Sequence, residues 1–116
     1  MLFIEYPTCS TCRKAKKWLD DRGAAYEDRH IVSDNPRAEE LRVWQKKSNQ
    51  PLKNFFNTSG MRYRQLNLKT KLPQMSEAEQ LELLASDGML VKRPLLILED
   101  TVLVGFREQA WEEALS

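Results

Sequence analysis

Leu2-Phe3-Ile4-Glu5-Tyr6-Pro7-Thr8-Cys9-Ser10-Thr11-Cys12-Arg13-Lys14-Ala15 opens the chain, and its reading decides the fold. Its first five residues are a short, mostly apolar run closed by a proline, the pattern of a buried strand. Beyond the proline the period changes: Ala15, Trp18 and Leu19 recur at helical spacing among Lys14, Lys16 and Lys17, which predicts an amphipathic helix ending near Gly23. Cys9 and Cys12, the only cysteines, lie where strand gives way to helix. A thiol at a helix N-terminus meets unpaired backbone N–H groups and the positive end of the helix dipole, both of which favour thiolate. Cys9 is therefore the expected nucleophile. Cys12, one turn further on the same face, is the expected resolving thiol.

Other uses of a Cys-x-x-Cys pair stand beside this one. A structural zinc site needs two more ligands, and the chain offers no third cysteine and one histidine, His30, so no metal is expected. Covalent haem attachment requires a histidine directly after the second cysteine, where Arg13 stands. A structural disulfide across so short a loop removes little unfolded-chain entropy. Two ordinary buried thiols are the remaining alternative.

The 116 residues suit one domain, 1–116, with a single core. Eighteen basic residues against seventeen acidic leave no global field to recruit nucleic acid or an anionic membrane. The N-terminus runs straight into an apolar strand with no basic leader, and no apolar run approaches the roughly 20 residues of a membrane span, so a cytoplasmic location is expected. There a cysteine pair is more often catalytic, redox-sensing or metal-bound than a permanent staple.

Further along, Tyr26 to Val32 reads as a second strand, completing a βαβ unit that places the cysteines at the carboxyl end of the first strand. Asp34-Asn35-Pro36 predicts a helix cap with proline at the first helical position, Glu39 and Glu40 in the first turn, Leu41 and Trp44 inward and an end near Ser48-Asn49. A short helix follows at Leu52, Phe55 and Phe56, then a turn at Asn57-Thr58-Ser59-Gly60 and an apolar cluster of Tyr63, Leu66 and Leu68. Ser76 and Glu79 form a capping box for a helix stopped at Asp87-Gly88. Leu95–Leu98 and Thr101–Val104, separated by Glu99-Asp100, predict an antiparallel hairpin. A last helix carries Ala110, Trp111, Ala114 and Leu115 on one face. Trp18, Trp44 and Trp111 are read as core. The order is that of an α/β fold, a thioredoxin/glutaredoxin-like mixed four-stranded sheet (βαβ…ββα) with a helical insert at about 34–90.

Cys9-Ser10-Thr11-Cys12-Arg13-Lys14-Ala15, Phe56-Asn57-Thr58-Ser59-Gly60, Tyr63-Arg64-Gln65-Leu66, and Lys92-Arg93-Pro94 with Gly105-Phe106-Arg107 together resemble the arsenate reductase family of glutaredoxin-linked type. That family also contains the Spx transcriptional regulators and many uncharacterised members, and the similarity runs in order over nearly the whole chain. The resemblance implies a thioredoxin-like fold with an inserted helical region, reactive Cys9, a cis-proline at Pro94 and an oxyanion pocket to which Arg93 and Arg107 contribute.

Two departures qualify what carries over. The position of Cys12 is typically not cysteine in the glutaredoxin-linked reductases, and a further pocket arginine falls at Asn57. Charge-assisted contacts to an oxyanion are worth about 1.5–3 kcal/mol each, so the missing one favours dithiol chemistry over efficient arsenate reduction unless Lys53, Arg62 or Arg64 replaces it. The expected cycle uses a small oxyanion or an oxidised thiol as substrate. It needs no bound cofactor, with glutathione, glutaredoxin or thioredoxin as electron donor. Arg13 and Lys14 are candidates for lowering the thiol pKa, against the commoner reading of exposed basic residues as solvated surface. His30 is a candidate acid–base partner for Cys9, against the commoner structural reading. The alternative function is an Spx-like redox-sensing regulator with RNA polymerase as partner, although the segment expected to dock on the polymerase is not evident after helix 34–48.

Overall fold

Phe3 and Ile4 are fully buried on opposite faces of strand β1 (Leu2–Glu5), which makes that strand the spine of the protein. The computed structural model describes residues 1–116. Helix α1 (Ser10–Asp21) follows at once and ends through Gly23, whose φ of +67° is the left-handed conformation that glycine adopts without strain. Strand β2 (Glu27–His30) then pairs parallel with β1, Leu2 opposite Glu27 and Glu5 opposite His30. Strand β3 (Leu95–Ile97) runs antiparallel on the other side of β1, and β4 (Val102–Val104) antiparallel to β3, giving the order β2-β1-β3-β4. The mixed four-stranded sheet is as expected. Strand β2 is shorter than the 26–32 predicted, because Glu27-Asp28-Arg29-His30 is a charged edge strand and the chain turns directly after it.

Every element between β2 and β3 is helical: α2 (Ala38–Ser48), a 3₁₀ turn (Leu52–Phe55), α3 (Met61–Gln65), α4 (Leu68–Lys71), α5 (Glu77–Ser86), and further single 3₁₀ turns at Leu72–Gln74 and Gly88–Leu90. The capping box of α5 forms as expected, with Glu79 N–H donating to Ser76 Oγ at 3.1 Å and Ser76 N–H to the Glu79 carboxylate at 2.8 Å. The start of α2 differs. Its N-cap is Arg37, whose N–H donates to Glu40 at 3.0 Å, while Pro36 is buried ahead of the helix. Asn35 is diverted to a tertiary role, its amide donating to the Ala85 carbonyl at 2.6 Å.

Side-chain alternation divides the core. Leu2, Ile4, Leu95, Val102 and Val104 face the helical insert in a cluster built on fifteen buried residues. Phe3, Leu96, Ala15, Leu19 and Trp111 form a smaller cluster between the sheet, α1 and α6 (Glu108–Leu115). Trp44 and Trp111 are core, as read. Trp18 is only partly buried: it packs edge-on against Phe106 and Trp111 at 6.1 and 6.0 Å, with the Arg22 guanidinium 4.1 Å over its ring.

Candidate functional site

The turn Tyr6–Cys9 joins β1 to α1 and closes with Cys9 N–H donating to the Tyr6 carbonyl at 2.9 Å. This makes Cys9 the N-cap of α1, with its Sγ accepting from the Cys12 N–H at 3.4 Å. Both thiols are free, and their environments differ. Cys9 is half-buried and opens on a cleft, whereas Cys12 is 0% exposed. Burial pulls the Cys9 thiol up, but hydrogen bonds from the Cys12 thiol and from the N–H groups of Cys12 and Thr11, helped by the charge of Arg93, outweigh it and leave the thiol below its ordinary value. Burial pushes Cys12 up to about 12, against a hydrogen bond from the Tyr6 N–H and reinforced by Cys9.

The cleft in front of Cys9 has a volume of about 760 Å³ and draws on four separate stretches of the chain. Thr8, Ser10 and Thr11 come from the cysteine turn, Lys53 and Asn57 from the insert, Lys92 and Arg93 from the approach to β3, and Gly105, Phe106 and Arg107 from the exit of β4. The Arg93–Pro94 peptide is cis. Arg93 is fixed by its Nη1, which donates to the Met89 carbonyl at 3.1 Å, and by its guanidinium lying 5.2 Å over the Tyr6 ring. Arg107 is exposed and lies at the N-cap of α6. Gly105 holds that corner: its φ is +74°, its N–H donates to the Pro94 carbonyl at 2.8 Å and its carbonyl accepts from Trp111 Nε1 at 3.0 Å.

Cys9, Arg93, Asn57 and Arg107 thus meet around one cleft. Arg13 does not join them; it is exposed and outside the cleft, and the charge that favours the Cys9 thiolate is that of Arg93. Asn57 lines the cleft with an uncharged amide. Its Nδ2 sits where a Cβ on Gly60 would come, at 2.6 Å, so the Asn57–Gly60 turn closes tightly on itself. Of the three basic residues considered as replacements for the missing arginine, only Lys53 lines the cleft. Arg62 is paired with Asp87 at 3.0 Å, and Arg64 donates to the Ser59 carbonyl at 3.3 Å. His30 turns away from chemistry: its Nδ1 accepts from the N–H groups of Val32 and Ser33 at 3.1 Å each. Lys92 and Gln50, to which the sequence reading gave no role, also line the cleft; for Lys92 the signal was its place beside Arg93-Pro94.

A Cys-x-x-Cys pair at the first strand-to-helix turn of a mixed four-stranded sheet, on a basic cleft whose Arg93 precedes a cis-proline, places the protein in the thioredoxin-like class. Within that class the chain belongs to the ArsC family, whose sequence model matches residues 4–114. It is 58% identical to the uncharacterised protein YusI of Bacillus subtilis, over 97% of this chain and 96% of the relative. It is 29% identical to the global transcriptional regulator Spx of Enterococcus faecalis, over 88% of this chain and 76% of that protein. The crystal structure of an ArsC family related protein from Bacteroides fragilis superposes with a TM-score of 0.94 at 55% identity, covering 97% of this chain and 94% of the other.

Proposed function

We propose that the protein is a thiol–disulfide oxidoreductase in which Cys9 is the nucleophile and Cys12 the resolving thiol. The observation that carries this reading is the asymmetry of the pair. One thiol is lowered and open to the cleft; the other is raised and sealed beneath it. The Cys9 thiolate attacks an oxidised thiol held in the cleft and forms a mixed disulfide, expelling the first product thiolate. Cys12 then attacks the Cys9 sulfur, releasing the second thiolate and leaving a Cys9–Cys12 disulfide for glutathione, glutaredoxin or thioredoxin to reduce. Arg93, Arg107 and Lys53 supply the positive lining that suits an anionic substrate or its developing thiolate. Arsenate is the weaker substrate in this reading, because Asn57 offers an amide where a charge-assisted contact is wanted.

Equilibration in graded glutathione or dithiothreitol buffers, with alkylated thiols counted by mass spectrometry, tests the proposal. A single two-electron transition between roughly −180 and −300 mV is expected. Replacing Cys9 with serine is expected to abolish exchange, and Cys12→Ser to accumulate a mixed disulfide on Cys9. Equal residual turnover in the two single variants would rule out this division of labour. The similarity to Spx favours a second reading, a redox switch that binds RNA polymerase without turnover. Retention of purified polymerase by the oxidised protein but not the reduced one, with no thiol turnover, would support it instead.

A further inference from the structure

Arg93 lines the cleft, but what holds it there lies outside. Alongside the hydrogen bonds from Cys12 and Thr11, the charge of Arg93 lowers the Cys9 thiol against its burial. An arginine side chain has many rotamers, so its charge acts from a fixed place only where the guanidinium is held. Arg93 is held by carbonyls of the chain just before it: Nη1 donates to Met89 at 3.1 Å and lies 3.5 Å from the Val91 carbonyl oxygen. Met89 belongs to the 3₁₀ turn Gly88–Leu90, whose N-cap is Asp87. One carboxylate oxygen of Asp87, Oδ1, accepts the Met89 N–H at 2.9 Å, and the other, Oδ2, accepts from Arg62 Nε at 3.0 Å. Arg62 stands in α3, the helix that begins directly after the Asn57–Gly60 wall of the cleft. The turn also reaches that wall through its backbone, with the Asn57 N–H donating to the Leu90 carbonyl at 2.8 Å.

Asp87 does not line the cleft, yet its carboxylate ties the turn that anchors Arg93 to the helix behind the Asn57–Gly60 wall. We propose that Asp87 is a positioning residue for Cys9: by capping the 88–90 turn it fixes the Met89 carbonyl, and with it the place from which the Arg93 guanidinium acts on the thiolate. The inference rests on the reading of Cys9 as the nucleophile. Arg62 occupies Oδ2 and leaves Oδ1 to the cap, so the ion pair keeps the carboxylate turned toward Met89. The sign of the effect separates positioning from charge. Asp87 is an anion, and removing an anion favours a nearby thiolate when the charge acts through space alone. Releasing Arg93 from its anchor disfavours the thiolate, because a mobile, better-solvated guanidinium stabilises it less. A merely structural cap would leave the Cys9 titration where it is.

The pH profile of Cys9 alkylation by iodoacetamide, followed by mass spectrometry, tests this. Asp87→Ala is expected to slow alkylation roughly threefold at pH 7 and to raise the midpoint of the profile, with the rate at full ionisation unchanged. Asp87→Asn keeps an oxygen for the Met89 N–H and is expected to restore the wild-type midpoint. In an Arg93→Met background, Asp87→Ala is expected to add no further slowing, since its effect passes through Arg93. An Asp87→Ala midpoint that is unmoved or lowered overturns the proposal. An Asp87→Asn midpoint raised as far as that of Asp87→Ala, or equal slowing by Asp87→Ala with and without Arg93, overturns the route through Met89 and Arg93. If Asp87→Ala does not fold, Asp87→Glu decides: it keeps the charge but is a poor cap, so the midpoint should still rise, and a wild-type profile there overturns the proposal. A wild-type Cys9 that titrates no lower in the folded protein than in urea overturns the reading of Cys9 as the activated nucleophile, and the inference falls with it.

Discussion

The two faces of the sheet are built to different plans, and the two cysteines at the start of α1 differ as sharply in burial. Under α1 and α6 the packing is small and aromatic, with Phe3 against Tyr26 at 5.5 Å and against Trp111 at 6.3 Å, and Phe106 against Trp111 at 4.9 Å. Cys12 is buried on the same helix as Ala15 and Leu19 of that cluster. The other face carries the larger apolar cluster under the inserted helices, yet the insert stops short of Cys9 and leaves its polar turn, Asn57–Gly60, as one wall of the cleft. The difference teaches that the reactivity of a Cys-x-x-Cys pair is set by what covers each sulfur. The helix N-terminus is common to both.

Removing the aromatic centre of the small face is the most severe way to break that contrast. Trp111 is 1% exposed, holds three aromatic partners and donates to the Gly105 carbonyl, so Trp111→Ala is expected to cost about 3–5 kcal/mol in urea unfolding. Because Gly105 lines the cleft, the alkylation rate of Cys9 should change with it. Unaltered stability would show that the small cluster does not hold α6 on the sheet.

The insert's attachment is tested at Gly88. A Cβ there would lie 2.0 Å from the Ile31 carbonyl oxygen and 2.5 Å from Asn35 Oδ1, and the nearer neighbour is backbone that has no rotamer to escape into. Gly88→Ala is expected to cost about 3 kcal/mol, the upper end of overpacking effects. The loss should be read by unfolding, with the Cys12 side, remote from this contact, keeping its protection from alkylation in the folded state.

Charge on the edge strand provides a third, smaller test, with a pH signature. Arg29, on the insert face of β2, holds Glu40 with two bonds of 2.8 and 2.9 Å, and this hydrogen-bonded pairing lowers the Glu40 carboxyl to about 2. The folded value lies below the ordinary one, so the stabilisation is fully present above about 4.5 and is lost as pH falls through 2. Glu40→Gln is expected to cost about 2 kcal/mol at pH 7, less than the shift alone implies because the pair is partly solvated. The gap between variant and wild type should close in acid. Glu5 on the opposite face has the reverse sign: its raised carboxyl stabilises the fold most below about 4.5, and that contribution is lost as pH rises through 7.

Local pattern made much of this fold legible. The apolar run before Pro7, the period change after it and the Ser76–Glu79 box each depend on residues close in sequence, and each forms as read. The start of α2 did not, because Asn35, a good cap by local chemistry, is spent on the Ala85 carbonyl fifty residues away. The same limit applies to the site. Cys9 and Cys12 are visible as a motif, whereas Lys53 and Lys92 reach the cleft from separate elements and carry no common spacing. Glu5 reads as one polar residue in a strand until Asp28 and Lys16 are brought to it by the βαβ fold.

Arg93 permits the finest test of the contrast between the faces, because it acts on Cys9 from the open side without covering it. Its guanidinium is anchored to the Met89 carbonyl and over Tyr6, so its charge is held in place toward the thiol, where it lowers Cys9. A half-solvated charge at such range contributes up to ~1 kcal/mol, which corresponds to about a fivefold change in thiolate population. Arg93→Met is therefore expected to slow iodoacetamide alkylation of Cys9 several-fold at pH 7 and to have no effect at a pH where the thiol is fully ionised. Arg93→Lys, which keeps the charge and loses the planar anchor, should fall between the two. An Arg93→Met rate equal to that of the wild type at pH 7 would mean that the N–H groups of Thr11 and Cys12 and the Cys12 thiol suffice to lower Cys9. The distinction between the cysteines would then rest on burial and local hydrogen bonds, and the basic lining of the cleft would act on the substrate alone.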